Sequence, residues 1–349
     1  METLIEKSAK TLDVDVVEFR LQHLISSADM PYKTLTGEVL DSGNYAKILL
    51  KACELFDYDA ERDLQRKRRE GGECVGIGIG FYIEPCGQGW ESASLEWQTD
   101  DTITVYCGSP AQGQGHETSF ATIAARELRC SPSKIKVKLG DTQFGPPGLG
   151  ALASRSIAIG GSAIVKGCRE LLRRKEAGDA LPIVVNDIFT SEEAWGYGCV
   201  VTRLSIDVDT GKPLIQKVVY VDDAGQQIDP DLVKDQLLGG CVQGIGQALM
   251  EEMVYDHNGQ LLTGSLMDYA IPRADDIPYI QVHSECTPSP LNLLGAKGVG
   301  EAGCIGVPAS LLNAARDALH LSAQEDIDFP LTPEKLWQFL GRTRKESQR

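Results

Sequence analysis

The sequence predicts an α+β protein in which helices pack on mixed sheets. Three observations of residue spacing lead to this prediction. Apolar residues recur about every 3.6 positions in the N-terminal 70 residues, which indicates helices. Residues 102–139 contain a strand pattern, a glycine-rich turn, a helical pattern over 119–128 and a second strand pattern over 135–139. Residues 200–223 contain two strand patterns around Asp209-Thr210-Gly211, which is typical of a β-hairpin.

The N-terminal helical region ends in the charge run RDLQRKRREGGE, which is typical of a solvated helix end. Asp41 or Ser42 is the predicted N-cap of a helix that begins near Tyr45. We therefore place a boundary between two segments of the chain near Gly71. We therefore predict a helical connector over 1–70, an α+β subdomain over 71–180 and a second α+β subdomain over 181–349.

The segment GECVGIGIGFYIE alternates glycine with apolar residues. This pattern predicts a strand that another backbone or a ligand approaches closely. A dinucleotide-binding site is the disfavoured alternative, because the spacing is not GxGxxG and no helix follows at once. The later sequence predicts helices over 231–252 and 304–319 and a last helix in TPEKLWQFL, capped by Thr332 and started by Pro333.

Gly240 and Gly244 lie four residues apart in the predicted helix 231–252. Glycine costs about 1 kcal/mol against alanine inside a helix, so something must pack closely there in compensation. Another helix backbone and a bound cofactor both remain open as the neighbour.

Composition excludes several classes of protein. The net charge of −16 disfavours nucleic acid as a partner, since phosphates require a basic surface. No apolar run is long enough for a membrane span, and the first residues lack the apolar core of a signal peptide. None of the ten cysteines forms a CxxC pair, which argues against zinc or iron–sulfur sites and favours reduced thiols in a cytoplasmic protein.

Three segments combine glycine with polar side chains: 108–118, 150–163 and 290–312. The first two precede predicted helices, whose free N–H groups suit an anion, although an ordinary loop and an ordinary N-cap are the alternatives. Glu301 lies among glycines before the third helix. Three interpretations of Glu301 remain open. It could be a poorly solvated carboxylate whose raised pKa suits a general base, a residue that caps the helix, or a solvated loop residue.

Several longer segments carry a resemblance to a known family. They are GQGHETSFATIAARELRCSPSKIKVKLGDT, IDPDLVKDQLLGGCVQGIGQALMEE, LTGSLMDYAIPRADDIP, NLLGAKGVGEAG and PLTPEKLW. In this order they resemble the C-terminal half of the molybdopterin-binding subunit of the xanthine dehydrogenase, aldehyde oxidase and carbon monoxide dehydrogenase family. A departure at Thr122, where the family often has glutamine, bears on packing.

The resemblance implies the second half of the molybdenum-cofactor-binding fold of this family, with the cofactor bound by 71–180 and a catalytic glutamate in 181–349. The implied reaction is hydroxylation of an sp² carbon of an aldehyde or N-heterocycle with oxygen from water, and Glu301 matches the general base. The alternative is a truncated, catalytically inactive cofactor-binding or assembly module.

The resemblance also implies cofactor-binding residues. In this family the pterin dithiolene holds the molybdenum without protein ligands, and Gln114 matches a glutamine near the metal's other ligands. The implied cofactor-binding residues are Gly113, Gln114, Gly115, Ala153, Ser154, Arg155, Ser156, Gln243, Gly298 and Gly300.

The implied cofactor is molybdenum–molybdopterin, in its plain or its cytosine dinucleotide form. The resemblance further implies a 2Fe-2S subunit and an FAD subunit as partners, together with a small-molecule substrate. Family subunits are about twice as long as this chain. We therefore expect an N-terminal half of the molybdenum subunit on a separate chain, unless the chain is a truncated product.

Overall fold

The computed structural model describes the backbone of residues 1–346 and the side chains of residues 1–341, so the last three residues of the predicted segment 181–349 lie outside it. The N-terminal region is helical, as predicted. Its elements are α1 (Glu2–Thr11), α2 (Val16–His23), β1 (Tyr32–Lys33), β2 (Val39–Leu40), α3 (Tyr45–Phe56) and α4 (Tyr58–Glu70). Asn44 caps α3, so the predicted cap at Asp41 or Ser42 is wrong, because Asp41 instead accepts the backbone N–H of Trp195.

Strands and helices then alternate along the chain. The elements are β3 (Cys74–Pro85), β4 (Gly89–Trp97), β5 (Ile103–Cys107), α5 (His116–Leu128), β6 (Ile135–Leu139), α6 (Gly161–Glu176), β7 (Ile183–Ser191), β8 (Trp195–Ile206), β9 (Pro213–Asp223), α7 (Pro230–Leu249), β10 (Ile280–Glu285), α8 (Ala302–Ala318) and α9 (Pro333–Glu346). The predicted hairpin is present as β8 and β9. The helix predicted over 231–252 ends three residues earlier than expected.

Two four-stranded mixed sheets organise these elements, which confirms the predicted α+β class. The first has the order β10-β9-β8-β3, with β9 and β10 parallel and the other pairs antiparallel. The second has the order β6-β5-β4-β7, with β5 and β6 parallel. The predicted segments 71–180 and 181–349 each contribute strands to both sheets, so they interleave in space.

The glycines of β3 admit the backbone of α8. A Cβ atom at Gly76 would lie 1.9 Å from the carbonyl oxygen of Ala314, and one at Gly78 would lie 2.2 Å from that of Ser310. Such distances are too short for any side chain, so glycine is required at these positions. The close approach predicted for this strand is therefore made by a helix backbone, and the GxGxG pattern needs no nucleotide to explain it.

Helices α7 and α8 also meet at glycine. A Cβ atom at Gly240 would lie 2.8 Å from Cα of Gly303, and one at Gly244 would lie 3.1 Å from Pro308 and Val307. Of the two neighbours left open by the sequence, the structure therefore contains the helix. This contact places the N-terminus of α8 beside the middle of α7.

Three buried apolar clusters hold the layers together. One lies between the first sheet and α7, α8 and α9, and another lies between the opposite face of that sheet and the N-terminal helices. The third lies between the second sheet and helices α5 and α6. None of the described helices combines the length and apolar character that crossing a membrane requires.

Candidate active site

The three glycine-rich segments converge on one cavity of about 450 Å³. Their predicted site residues meet there although they come from loops before α5, α6 and α8. The predicted residues that line the cavity are Gly113, Gln114, Ala153, Ser154, Ser156, Gly298, Gly300 and Glu301. A common cavity is the arrangement that a shared ligand requires.

The first loop leaves β5 and enters α5 through two glycines in the left-handed region. Gly113 has φ +93° and Gly115 has φ +75°, which are backbone conformations that residues other than glycine rarely adopt. His116 follows as the first residue of α5, stacks on Phe120 and has its Nδ1 3.1 Å from the carbonyl oxygen of Pro110. Burial lowers the pKa of His116, so this imidazole is neutral near pH 7.

The second loop carries two consecutive non-glycine residues with positive φ, Ala153 at +47° and Ser154 at +54°. Such residues cost free energy and persist only where surrounding contacts hold them. Here the turn brings the Ser154 side chain to the third loop. A π-helical turn over Ser156–Gly160 then leads into α6.

The third loop ends at Glu301, the N-cap residue of α8. A Cβ atom at Gly298 would lie 1.9 Å from the carbonyl oxygen of Ser154, and one at Gly300 would lie 2.9 Å from Ser154 Oγ. Both glycines therefore make room for Ser154. Glu301 Oε2 lies 2.8 Å from Ser154 Oγ, and the backbone N–H of Glu301 donates to the same hydroxyl oxygen at 3.1 Å.

Glu301 is exposed in this chain and its side chain does not cap α8, so of the three alternatives left open by the sequence the structure contains the solvated loop residue. Its glycine neighbours have no side chains to cover it, and the carboxylate lies at an open wall of the cavity. The desolvated carboxyl group next to Glu301 is that of Glu84 in β3, a residue that no pattern in the sequence distinguished. Burial raises the pKa of Glu84 to about 7, and the negative charge of Glu301 adds to this rise.

Three predicted residues do not line the cavity. Gly115 shapes the entry to α5, as described above. The guanidinium of Arg155 is buried, where it pairs with Glu91 and donates to the carbonyl oxygens of Trp90 and Gly150. Gln243 is exposed on α7 and does not line the cavity.

Several lining residues were missed by the sequence analysis. Gln236 lies seven residues before Gln243 on the same face of α7 and donates to the carbonyl oxygen of Gly300 at 3.0 Å. Gln227 also lines the cavity. Lys297 is buried beside it, with Nζ 3.1 Å from the carbonyl oxygen of Ser42, and burial lowers the pKa of this amine. Gln236 and Lys297 lay in segments that carried the family resemblance, but no local pattern distinguished them.

The cavity wall offers unused hydrogen-bond donors. The helices that begin at His116, Ser156 and Ala302 have no side-chain cap, and such helix N-termini suit an anion. At the last of them the Cys304 N–H already donates to the carbonyl oxygen of Glu301. Gln227 Nε2 is buried without a hydrogen-bond partner among the described residues. Such an orphaned donor points to a polar ligand, because burial without a partner is costly. These groups fit a pterin with attached phosphate.

No group of three or more histidine, cysteine, aspartate or glutamate side chains forms a metal-ligand cluster in the part of the chain that the structure describes. The cavity is lined by amide and hydroxyl side chains, together with the Lys297 amine and the His116 imidazole. Such donors suit an organic, anionic group.

A sequence model of the molybdopterin cofactor-binding domain matches residues 51–188 and 185–278, together more than half of the chain. The chain belongs to this family. These matched residues of the molybdopterin cofactor-binding chain include the first two site loops and α7. Glu301 and its glycines follow them.

Curated relatives and solved structures agree with this assignment. The molybdopterin cofactor-binding chain is 28% identical to the carbon monoxide dehydrogenase large chain of Afipia carboxidovorans, over 97% of this chain and 50% of the relative. It is also 28% identical to the nicotine 6-hydroxylase large subunit of Paenarthrobacter nicotinovorans, over 96% of this chain and 48% of the relative. The chain therefore spans about half the length of these relatives.

Among solved structures, a Cu,Mo-CO dehydrogenase in its carbon monoxide reduced state matches 98% of this chain and 51% of its own, with a TM-score of 0.94 at 26% identity. The quinoline 2-oxidoreductase of Pseudomonas putida 86 matches 97% of this chain and 51% of its own, with a TM-score of 0.90 at 26% identity. The fold of the molybdopterin cofactor-binding chain is therefore the fold of half of a molybdenum-enzyme chain.

Proposed function

We propose that this chain forms part of a molybdenum hydroxylase that oxidises an sp² carbon of an aldehyde or an N-heterocycle with oxygen from water. The observation that carries this proposal is the convergence of Gln114, Ser154 and Glu301 on one cavity. Relatives named as a nicotine hydroxylase and a carbon monoxide dehydrogenase support the reaction class. The other half of the cofactor-binding region, in whichever polypeptide it is encoded, completes the site.

The chain's own residues would hold molybdenum–molybdopterin by hydrogen bonds. The uncapped N-termini of α5 and α8 and of the turn at Ser156 suit the phosphate, or the diphosphate of a cytosine dinucleotide form. Gln227 Nε2 supplies a donor to the organic part. When bound, the cofactor supplies the redox chemistry of the hydroxylation, and the protein positions and tunes it.

Glu301 acts as the general base. Ser154 Oγ donates to its Oε2 and accepts its backbone N–H, which fixes the carboxylate at the cavity wall. Its exposure in the chain leaves the carboxylate open to the cavity, where it can accept a proton from the reacting group. Gln114 lies on the opposite loop, where its amide orients the reacting group by hydrogen bonding.

Electrons leave through partner subunits in this proposal, with 2Fe-2S clusters and FAD on those chains.

All ten cysteines of this chain are free thiols, which supports a reducing, cytoplasmic environment.

The decisive experiment purifies the complete complex and measures molybdenum content and turnover on aldehydes and N-heterocycles. We expect Glu301→Gln to lower turnover by about 100-fold or more, since a general base contributes about 10²–10⁴-fold, while molybdenum content stays normal. The matched control is Glu192→Gln, which neutralises an exposed glutamate outside the cavity. Full turnover by Glu301→Gln removes this residue from its role.

The metal analysis also distinguishes the alternative function. A wild-type complex that holds pterin cofactor but turns over no substrate would identify the chain as a cofactor-binding or assembly module. A complex without molybdenum or pterin would contradict both proposals.

A further inference from the structure

A second carboxyl group lies directly behind the cavity wall. Glu84, near the end of β3, is 3% exposed, and its Oε1 lies 2.5 Å from Ser154 Oγ. Its other oxygen, Oε2, is buried without a hydrogen-bond partner among the described residues. The hydroxyl that contacts this carboxyl group also contacts the proposed base, and the two carboxyl groups are close enough for a direct hydrogen bond when one of them is protonated.

Ser154 connects the two carboxyl groups. Its Oγ lies 2.8 Å from Glu301 Oε2 and 2.5 Å from Glu84 Oε1. A hydroxyl has one hydrogen atom and can donate to only one carboxylate at a time. The second carboxyl group forms a hydrogen bond to Oγ only if it carries a proton itself. The arrangement is thus complete when one proton resides on one of the two glutamates.

Burial decides which glutamate carries that proton. Glu84 is enclosed whereas Glu301 is exposed, and removing a charge from water disfavours the ionised form. The titratable groups around Glu84 are Tyr82 on its own strand, Cys86 just after that strand, and Glu301 and Cys304 at the start of α8. None of them is a cation, and burial raises the pKa of Glu84 to about 7.

We propose that Glu84 is a positioning residue for the base: its protonated carboxyl group donates to Ser154 Oγ, which leaves the serine hydrogen to Glu301 and orients that side chain. The role of Glu301 in this inference rests on the proposed function. The protonation of Glu84 does not, since it follows from the geometry of this chain.

Ionisation of Glu84 reverses the hydrogen bond. As the pH rises through about 7, the Glu84 proton passes to solvent and the serine hydrogen turns from Glu301 Oε2 to Glu84 Oε1. Glu301 then loses its donor and faces a second negative charge. The base is thus oriented by Ser154 on the acidic side of this transition and released from it on the alkaline side.

Infrared difference spectroscopy of the purified complex tests the protonation directly. We expect a carboxylic-acid C=O band that titrates near pH 7, disappears in Glu84→Gln and remains in Glu301→Gln. Glu6 and Asp222 are also buried acids whose pKa values are raised to about 7, so the signal is the difference between wild type and Glu84→Gln. A difference spectrum without such a band overturns the proposal.

Ser154→Ala adds a second spectroscopic measurement. The serine hydroxyl lowers the pKa of Glu84 by donating to its carboxylate, so its removal should move the midpoint of this band to higher pH. An unchanged midpoint means that Ser154 does not connect the two groups, and this result also contradicts the proposal.

The pH profile of kcat/KM tests the link to the base. We expect an inflection near pH 7 in wild type that is absent from Glu84→Gln, whose amide cannot ionise. Glu84→Ala should lower kcat/KM at least about tenfold, because a hydrogen bond in a charged network is lost. Glu84→Gln keeps a donor to Ser154 and should retain most of the wild-type kcat/KM. An inflection that persists in Glu84→Gln refutes the proposal. Full activity of Glu301→Gln removes Glu301 from the role of base, whereas the infrared result on Glu84 is measured without turnover and stands separately.

Discussion

Arg155 and Glu91 form an ion pair from which solvent is excluded, with Arg155 Nη1 3.3 Å from Glu91 Oε2. Ser109 Oγ and the backbone N–H of Gly150 donate to the same carboxylate oxygen at 2.9 and 3.2 Å. Glu91 lies on β4, Ser109 on the first site loop and Arg155 on the second. One buried carboxylate therefore fixes two loops of the candidate active site to the second sheet.

Removing one member of this ion pair should destabilise the chain strongly. Arg155→Met leaves the Glu91 charge buried without its cation, and such a change costs about 3–5 kcal/mol. Urea unfolding measures the difference. The control is Arg173→Met, which breaks an exposed ion pair with Glu170 and should leave the midpoint unchanged. Equal effects of both substitutions would show that the buried pair contributes no special stability.

The contact between α7 and α8 can be tested with two adjacent glycines. Gly240→Ala places a Cβ atom 2.8 Å from Cα of Gly303 and should lower the free energy of unfolding, because two backbones would have to separate. Gly239→Ala meets no atom within 4 Å and should raise it by about 1 kcal/mol, the helix propensity gain of alanine. Thermal unfolding of both variants gives the comparison, and a stable Gly240→Ala would contradict the packing.

Gly298→Ala should separate the second and third loops. The added Cβ atom would lie 1.9 Å from the Ser154 carbonyl oxygen, so the backbone at Ser154 or at position 298 must move. We expect a lower melting temperature and loss of bound pterin, measured by cofactor fluorescence after release. Gly264→Ala is the matched control, since its Cβ atom meets only Leu261 at ordinary contact distance. Retained cofactor and stability in Gly298→Ala would refute the close approach.

Asp222 should make stability depend on pH. Its pKa rises from 3.8 to about 7, chiefly through burial, and its Oδ2 has no partner among the described residues. Between these values the unfolded chain is ionised at this residue and the folded chain is protonated. Folding therefore takes up a proton, and stability falls as pH rises from about 4 to about 7.

Asp222→Asn should remove the part of this pH-dependent loss of stability that comes from Asp222, because an asparagine side chain does not ionise. The stability of the variant relative to wild type should rise by up to about 4 kcal/mol between pH 4 and pH 8, measured by urea unfolding. Because other buried acids titrate equally in both proteins, their effects cancel in the difference. A relative stability that is constant across this range would show that Asp222 is ionised in the folded chain.

Much of the secondary structure follows from local spacing. Apolar periodicity predicted the helical N-terminus, and the turn at Asp209-Thr210-Gly211 predicted the β8–β9 hairpin, because both depend on neighbours within a few residues. The glycines of β3 predicted that another backbone approaches this strand closely. They did not identify α8 as the partner, which lies more than 200 residues later in the chain.

The candidate site shows the same division. Glycine-rich loops before helices marked Gln114, Ser154 and Glu301, and the family resemblance assigned them to one cofactor. Arg155 carried the same local signal, yet its guanidinium is buried against Glu91, because the direction of a side chain depends on what packs beside its loop. Gln227 and Lys297 had no distinguishing pattern and were found only as cavity neighbours.

The sequence by itself determined the helices, the hairpin, the loops that bear the site and the family to which the chain belongs. Only the tertiary structure decided that Glu301 is exposed while Glu84 is the desolvated carboxyl group. Glu84 lies 70 residues before Ser154, and Glu301 lies 147 residues after it. Local spacing governs backbone hydrogen bonds, whereas solvation and charge coupling depend on which distant elements meet.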